Sequence, residues 1–201
     1  MADNLAVNHG GEASLMSNTQ QDLPTDAAAV LEFWKDAGPR KWFAKDAAFD
    51  AAFSERFAAL HLAAARRALD HWAATAPGVL ALLVLLDQYP RNAYRGTAHM
   101  YATDPLARFF ARQAVEQGLD RQVEAGMLVF FYLPFEHSED PDDQALSVQL
   151  AQRLDARSRD FAILHRDIIA RFGRFPHRNA LLGRVSTAQE QAFLEQGGFA
   201  G

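Results

Sequence analysis

Three long apolar segments of the chain end in the same way, with a proline followed by a cluster of polar residues. These segments are 79-VLALLVLLDQYPRN-92, 127-MLVFFYLPFEHSED-140 and 163-ILHRDIIARFGRFPHRN-179. Their prolines, Pro90, Pro134 and Pro176, are separated by 44 and 42 residues. Because a helix does not continue normally through a proline, we expect a buried helix to stop at each of them. A period of this length is typical of one antiparallel helix pair per repeat, as in helical solenoids.

Helical patterning also covers the rest of the chain. An apolar stripe with steps of four residues runs through Phe49, Phe53 and Phe57. Asp46 is placed to cap the start of that helix, and Thr103 is placed to cap the helix that follows it at Asp104. Thr187 and Glu190 have the spacing of a capping box. No alternating β-branched segment bounded by hairpin turns is present. The sequence therefore predicts an all-α fold of about eight helices, packed as antiparallel hairpins.

Composition narrows the class of protein. Apolar residues make up 49% and charged residues 22% of the 201 positions, which is typical of a globular protein. The net charge of -5 argues against nucleic-acid binding, and no apolar run approaches the ~20 residues that cross a bilayer. Cysteine is absent, so we expect a cytoplasmic protein without membrane association. Residues 1–24 are polar and predict a disordered lead-in, which leaves 25–201 as a single helical domain.

The polar residues around the three prolines are the candidate site. If each unit is a hairpin, equivalent helices point the same way, and their proline ends lie along one edge of the molecule. Arginine forks bind carboxylates and phosphates, and imidazole titrates near neutral pH. The candidate ligand-binding residues are Asp87, Arg91, Asn92, Arg95, Arg178, Asn179 and Arg184. The candidate catalytic residues are His137, His177 and Glu136.

Three interpretations of this cluster remain open. Segment 136–143 holds five acids and segment 166–184 holds five arginines, so the two could simply pair and lock helix ends together. In that case the polar cluster is purely structural, and the helical hairpins serve as a protein-interaction scaffold. Alternatively, the arginines line a groove that binds an anionic small molecule or the acidic end of a peptide. A third interpretation is a hydrolase-like or isomerase-like enzyme acting on a small acidic substrate. Metal-binding and nucleotide-binding motifs are lacking, so we expect neither a metal nor a cofactor. The sequence leaves the oligomeric state open.

Several of these motifs resemble a known family. The segments 87-DQYPRNAYRG-96, 101-YATD-104, 133-LPFEHSED-140 and 171-RFGRFPHRN-179, with 31-LEFW-34 upstream, resemble the bacterial family called domain of unknown function 924. The resemblance covers roughly residues 27 to 199. It implies a tetratricopeptide-like helical architecture and brings no established activity. Tyr89 and Tyr101 stand where the family pattern leads us to expect phenylalanine, a difference of one hydroxyl group each.

Overall fold

The structure is a computed structural model that describes residues 23–200, and helices make up its regular structure. The α-helical segments are α1 (Thr25–Ala37), α2 (Pro39–Trp42), α3 (Ala47–Ala65), α4 (Ala76–Leu83), α5 (Tyr89–Ala93), α6 (Asp104–Glu116), α7 (Val129–Glu136), α8 (Pro141–Ala151), α9 (Ala156–Phe172) and α10 (Ala188–Glu195). Shorter 3₁₀ turns lie between them, and no strand occurs among these residues. The all-α prediction is confirmed.

The centre of the fold is one continuous helix made of α4, a π-helical turn (Val84–Gln88) and α5. The chain is therefore organised as nine helices over the part that the structure describes, close to the eight predicted. Every residue from Val79 to Pro90 is buried, because α1, α3, α6 and α7 pack around this helix. A helix that is apolar on all sides is stable only in such surroundings.

Helix α3 illustrates how the sequence pattern produces the packing. The side chain of Asp46 accepts hydrogen bonds from the backbone of Ala48 and Phe49, so it caps the helix as predicted. The buried stripe then recurs every four residues at Phe49, Phe53 and Phe57. Phe33 of α1 stacks on Phe49 and Phe53, with ring centroids 5.4 Å apart in both cases. Burying an aromatic side chain of this size stabilises the fold by about 1.5–3 kcal/mol.

Helices that follow one another along the chain also pack against one another. Helix α6 contacts α7, α7 contacts α8, and α8 contacts α9, as expected for successive hairpins. The finer tetratricopeptide-like arrangement and the assignment of 25–201 to a single domain stay predictions. The predicted lead-in at 1–24 lies almost entirely outside the described residues.

The prolines lie close to helix ends but do not mark them, so this prediction was wrong in detail. Pro90 lies in the first turn of α5, and the helix continues to Ala93. Pro134 lies inside α7, which ends two residues later at Glu136. Helix α9 ends at Phe172, before Pro176 begins a 3₁₀ turn. The π turn explains the first case, because it changes the hydrogen-bonding step just before the residue that lacks an N–H group.

Thr103 has a different role from the predicted helix cap. Its side chain does not bond to the start of α6. Instead, its hydroxyl donates to the carbonyl of Leu86 at 2.5 Å. Residue 90 would supply the partner of that carbonyl in a regular helix, but Pro90 has no backbone donor. Thr103 thus replaces the hydrogen bond that Pro90 cannot make.

Candidate functional site

A cavity of about 560 Å³ lies where the three proline segments meet. Its walls come from the α2 region, the end of α5, the 3₁₀ turn Ala98–Tyr101, α7, the first half of α9 and the turn Pro176–Arg178. Residues 90 positions apart in sequence, such as Gln88 and Arg178, therefore face the same space. The helix ends bring the polar residues together, and the apolar faces of α7 and α9 supply the rest of the wall.

Most of the sequence-predicted site residues line this cavity. They are Arg91, Asn92, Arg95, Glu136, His137, His177 and Arg178. Asp87, Asn179 and Arg184 do not line it. Asp87 is buried directly behind the wall, where it contacts His137, whereas Asn179 and Arg184 make contacts elsewhere. A ligand in the cavity could therefore contact the lining residues directly, whereas Asp87 supports His137 from behind the wall.

Asp87 and His137 form a buried carboxylate–imidazole pair. The Oδ1 atom of Asp87 lies 2.7 Å from Nδ1 of His137, and its Oδ2 atom accepts from Gln88 at 2.5 Å. Burial alone would raise the pKa of Asp87, but the charge of Arg91 and the hydrogen bonds with His137 and Gln88 hold the pKa well below its usual range. An ionised carboxylate only accepts, so the hydrogen is on Nδ1 and the lone pair of His137 is on Nε2.

His137 remains a neutral imidazole at physiological pH. Burial lowers its pKa and the charge of Arg91 lowers it further, while Asp87 opposes this shift. The side chain is 14% exposed, and that exposed part faces the cavity. Among the described residues Nε2 has no hydrogen-bond partner, so the lone pair is available to a molecule in the cavity.

Arg91 is bound within the protein and is poorly placed to bind a ligand on its own. Its two terminal nitrogens donate to the two carboxylate oxygens of Asp104 at 2.8 and 3.0 Å. One of them also donates to the backbone carbonyl of Asp87 at 2.7 Å. Burial alone would lower the pKa of Arg91, but the carboxylates of Asp104 and Asp87 outweigh it and raise the pKa. The main role of Arg91 is to hold the π turn and the start of α6 together.

Arg178 is a buried cation whose side chain makes no hydrogen bond to the described residues. Its side chain is 8% exposed and its guanidinium carbon lies 4.5 Å from the ring centroids of both Tyr101 and Phe175. The nearest carboxylate oxygen, on Asp104, is 3.7 Å from Nη1, too far for a hydrogen bond. The enclosed Nε atom has no partner either. Burial and the nearby charge of Arg91 lower the pKa of Arg178, which is the expected result for a buried cation without a close counter-charge.

Glu136 contributes a neutral carboxylic acid to the same cavity. Burial raises its pKa to about 8, and the negative charge of Asp87 adds to the shift. One of its oxygens is 3.3 Å from Nδ1 of His165. That nitrogen is also 2.8 Å from the carbonyl of Phe161, which can only accept, so His165 carries its hydrogen there. Glu136 is therefore mostly protonated at neutral pH and can donate a hydrogen bond.

His165 and His177 complete a wall of neutral imidazoles. Burial lowers the pKa of His165 to about 3 and that of His177 to about 4. The ring of Phe199, near the end of the described chain, packs edge-on against both, at 4.6 and 5.2 Å between centroids. The enclosed Nδ1 atom of His177 has no partner among the described residues. Neither histidine carries charge near neutral pH.

The remaining arginines are engaged in structural contacts. Arg184 donates to both oxygens of Glu139, at 2.7 and 2.9 Å, and also to the carbonyl of Phe175. Arg95 pairs with Asp50 at 2.9 Å. The interpretation that segment 136–143 ties helix ends together thus holds for Glu139 and Arg184. Asn179 donates to the hydroxyl of Ser186 and lies outside the cavity.

Sequence reasoning missed part of the wall. Two of the missed residues could have been found from the sequence. Gln88 directly follows the predicted site residue Asp87, and Tyr101 begins the motif 101-YATD-104. His165 lies within an apolar helix, where a histidine is usually a core residue. The apolar residues Trp42, Phe43, Leu133, Phe161 and Phe199 complete the wall. Apolar wall residues carry no signal in a single sequence, because core residues have the same composition.

The cavity combines cations with a largely apolar surface. Lys45, Arg157 and Asp155 lie at exposed positions on its rim, and Phe43, also on the rim, is 61% exposed. Within residues 23–200 the structure brings no three histidine or acidic side chains into an arrangement suited to a metal ion. In the same range, no helix has the length and apolar character that spanning a membrane requires.

Fold and site together define an all-α protein with a polar cavity at the meeting point of its helix ends. Residues 30–198 match the model of a family described as bacterial protein of unknown function (DUF924), and the chain belongs to this family. It is also similar to a solved structure, that of ATU0120 from Agrobacterium tumefaciens, a protein of unknown function. The two are 55% identical, with a TM-score of 0.85, over 88% of this chain and 100% of that chain. Comparison with curated proteins finds no match.

Proposed function

We propose that the cavity binds a small molecule with one anionic group, a carboxylate or a phosphate, and an apolar body. Arg178 carries this proposal. A guanidinium that is nine-tenths buried without a close acceptor is costly, because burial removes its water without supplying a partner. An anionic oxygen in the cavity would supply the missing acceptor with a charge-assisted hydrogen bond.

The surroundings of Arg178 support the choice of an anion. Glu136 and the three histidines of the wall are mainly neutral near pH 7, so they do not repel a negative charge. Arg91 and Asp104 neutralise each other's charge at 2.8 Å. The carboxylate of Asp104 is 3.7 Å from Arg178 and therefore neutralises the charge of Arg178 only in part. The net effect at the inner end of the cavity is a cation held between two aromatic rings. Lys45 and Arg157 at the rim add positive charge along the route of entry.

The apolar wall supports the second half of the proposal. Trp42, Val129, Leu133 and Phe161 line the cavity between its rim and its polar end. Ligand pockets of about 300–1,000 Å³ typically combine such walls with a few polar groups that fix orientation. An anion without an apolar part would leave this surface in contact with water. We therefore expect hexanoate to bind more tightly than acetate.

A thermal-shift titration tests the proposal. The probes are acetate, hexanoate, benzoate, hexyl phosphate and inorganic phosphate, so carboxylate and phosphate are compared on the same apolar tail. A probe present at a hundred times its dissociation constant stabilises the fold by about 2.7 kcal/mol, or a shift in melting temperature of about 5–10 °C for a domain of this size. Arg178→Met keeps the packing against Tyr101 and Phe175 but removes the charge, so the shift should disappear.

Arg171→Met is the matched control. Arg171 belongs to the same nine-residue motif, is exposed and contacts Phe172 and Phe193 outside the cavity. It should show the same shift as the wild-type protein. If no probe stabilises the wild-type protein, or if Arg178→Met is stabilised equally, the anion-binding proposal fails and a structural role for the cluster is favoured.

Two further predictions, the cellular location and the repeat architecture, are part of the same proposal. We propose a cytoplasmic location, which the absence of cysteine supports. We also propose that the successive helix pairs form a tetratricopeptide-like repeat whose role is to bring three equivalent helix ends to the cavity. The contributions of all three proline segments to one wall support this arrangement.

A further inference from the structure

We infer that the bound molecule is a substrate, a 2-oxo acid, and that the cavity catalyses its keto–enol tautomerisation. This inference rests on the proposed anion site, because Arg178 would hold the carboxylate of the acid. His137 would be the base that removes a proton from the carbon next to the carbonyl group. Glu136 would be the acid that donates a proton to the carbonyl oxygen.

The geometry of the Asp87–His137 pair favours a base. The carboxylate of Asp87 is fully buried, lies 2.7 Å from Nδ1 and is held from its other side by Gln88. This arrangement fixes both the ring orientation and the tautomer, so the basic Nε2 atom is directed away from Asp87 towards the cavity that His137 lines.

Glu136 supplies the complementary group. It precedes His137 in the chain, and both side chains line the cavity at the end of α7. Its carboxyl group is mostly protonated at neutral pH, as burial and Asp87 require, so it can give a proton to a developing enolate oxygen. Paired acid and base catalysis usually relies on two neighbouring titratable groups whose surroundings give them different pKa values, so that one is protonated and the other is not.

The described part of the cavity wall offers neither a thiol nor a serine hydroxyl free of a hydrogen-bond partner as a nucleophile. The chain has no cysteine, and the one serine of the wall, Ser158, is hydrogen-bonded through its hydroxyl to Asp155 at the rim. The lysine of the wall, Lys45, is exposed at the rim. Proton transfer needs none of these groups. It needs a base, an acid, a site for the carboxylate and an apolar wall that limits the access of water.

The proton and electron balance of the step is complete without a further reactant. Nε2 of His137 takes the proton from C3 of the 2-oxo acid, and the electron pair of that C–H bond forms the C2–C3 double bond. The π electrons of the C2 carbonyl move to its oxygen, which takes the proton of Glu136. The products are the enol, a protonated His137 and an ionised Glu136. Return of a proton from His137 to Glu136, directly or through water, resets the pair.

Exchange of the C3 hydrogens with solvent tests the inference. The full chain is incubated in D₂O with 2-oxobutanoate, 2-oxohexanoate and phenylpyruvate, and loss of the C3 proton signal is followed by NMR. Thermal shifts with wild-type protein and Arg178→Met identify which of these acids bind at the proposed site. For such an acid, we expect His137→Gln to lower the exchange rate by at least about 100-fold, the usual contribution of a catalytic base.

Binding and catalysis are separated by the same variants. Gln can still donate to Asp87, so His137→Gln should keep the thermal shift while it loses exchange. Glu136→Gln provides an independent test if the first variant is unstable, and it should also lose exchange. His71→Gln, an exposed histidine outside the cavity, controls for buffer-like catalysis by imidazole. An acid that binds through Arg178 but exchanges no faster than in buffer overturns this inference and leaves the proposed function intact. If none of the 2-oxo acids binds while one of the earlier carboxylate or phosphate probes does, this inference fails and the proposed function stands. If none of the 2-oxo acids and none of the earlier probes binds, both fail.

Discussion

At the scale of single residues, Arg178 and Arg184 show how two arginines close together in the chain take different roles. The two terminal nitrogens of Arg184 donate to both oxygens of Glu139 within 2.9 Å and to the carbonyl of Phe175, although its enclosed Nε atom has no partner, as in Arg178. Arg178 is the more deeply buried of the two, yet its closest carboxylate is 3.7 Å away. Aromatic rings on both sides hold Arg178 in place without using its hydrogen-bond donors. Arg184 is therefore held within the protein by an ion pair, whereas the donors of Arg178 have no hydrogen-bond acceptor among the described residues.

Removing Arg184 should lower stability without affecting anion binding. Arg184→Met leaves Glu139 with its backbone partner Phe175 but without a counter-charge, so we expect a loss of about 1–3 kcal/mol in the free energy of unfolding. Urea unfolding measures this loss, with Arg171→Met as the control for removing an exposed arginine. An unchanged midpoint in Arg184→Met would contradict the assignment of Arg184 as a structural lock.

Glu136 should make stability fall as pH rises. Its pKa is about 8 in the folded protein against an ordinary value of 4.5, so the folded state holds more protons than the unfolded state between these limits. Stability contributed by this group is present below the ordinary pKa and is lost as pH rises through the folded one. Glu136→Gln removes the effect, so the variant should gain at most about 4 kcal/mol relative to wild type between about pH 5 and pH 9.

Unfolding in urea at both pH values measures this difference, because subtracting the wild-type curve cancels groups common to both proteins. Glu55→Gln, an exposed carboxyl outside the cavity, controls for the loss of one surface acid. A constant difference in stability between Glu136→Gln and wild type at all pH values would mean that Glu136 is ionised in the folded state, and the role of acid catalyst would be lost with it.

At the scale of helices, the π turn before Pro90 is the element that builds the site. It allows one helix to continue past a proline, and it places Asp87 behind the cavity wall and Gln88 and Arg91 in it. Three backbone carbonyls of the turn form hydrogen bonds with side chains. His61 bonds to the carbonyl of Leu85, and Thr103 donates to that of Leu86. Arg91 donates to the carbonyl of Asp87. The turn is thus stabilised by residues from α3, α5 and the loop before α6.

Thr103→Val tests the role of these side-chain bonds. Valine has nearly the shape of threonine but cannot donate, so the carbonyl of Leu86 would lose its partner in a largely buried position. We expect a loss of about 1–3 kcal/mol in the free energy of unfolding, the usual cost of an unsatisfied buried group. Thr25→Val, at the exposed start of α1, is the matched control and should change stability little. Equal stability of the two variants would show that the Leu86 carbonyl needs no such partner.

The caps and the turn also show what a single sequence can predict. Asp46 and the Thr187–Glu190 capping box were predicted correctly, because a cap depends only on residues within one helical turn. The passage of the helix through Pro90 was not predictable, since it depends on His61 from α3 and on Thr103 from the loop before α6. The same reason separates Arg178 from Arg184. Both arginines are visible in the sequence, but the distance from each to a counter-charge is a property of the fold.

At the scale of the whole molecule, the cavity lies between two apolar clusters of unequal size. The larger cluster extends through α1, α3, α4, α6 and α7, and contributes Leu133 and Trp42 to the cavity wall. The smaller cluster joins Ile168, Ile169 and Phe175 with partly buried rings from α9, α10 and the chain after it, including Phe199 of the wall. A ligand would therefore contact both clusters at once and link their stabilities.

Hydrogen exchange should reveal this link. Without ligand, we expect the amides of α10 to exchange by local opening, faster than those of α4 and α7, because the smaller cluster buries far less apolar surface. An anion that binds Arg178 should slow exchange in α10 and in the second half of α9, since opening this end removes Phe199 and His177 from the wall. The exchange rate should fall roughly tenfold for each 1.4 kcal/mol of stabilisation that the anion confers.

Mass spectrometry of the exchanging protein, with and without the best-binding acid, measures both effects. Arg178→Met should show the same exchange as ligand-free wild type whether or not the acid is added. If the acid protects α4 and α7 while leaving α10 unchanged, the ligand contacts only the larger cluster, and the end of the chain has no part in closing the site.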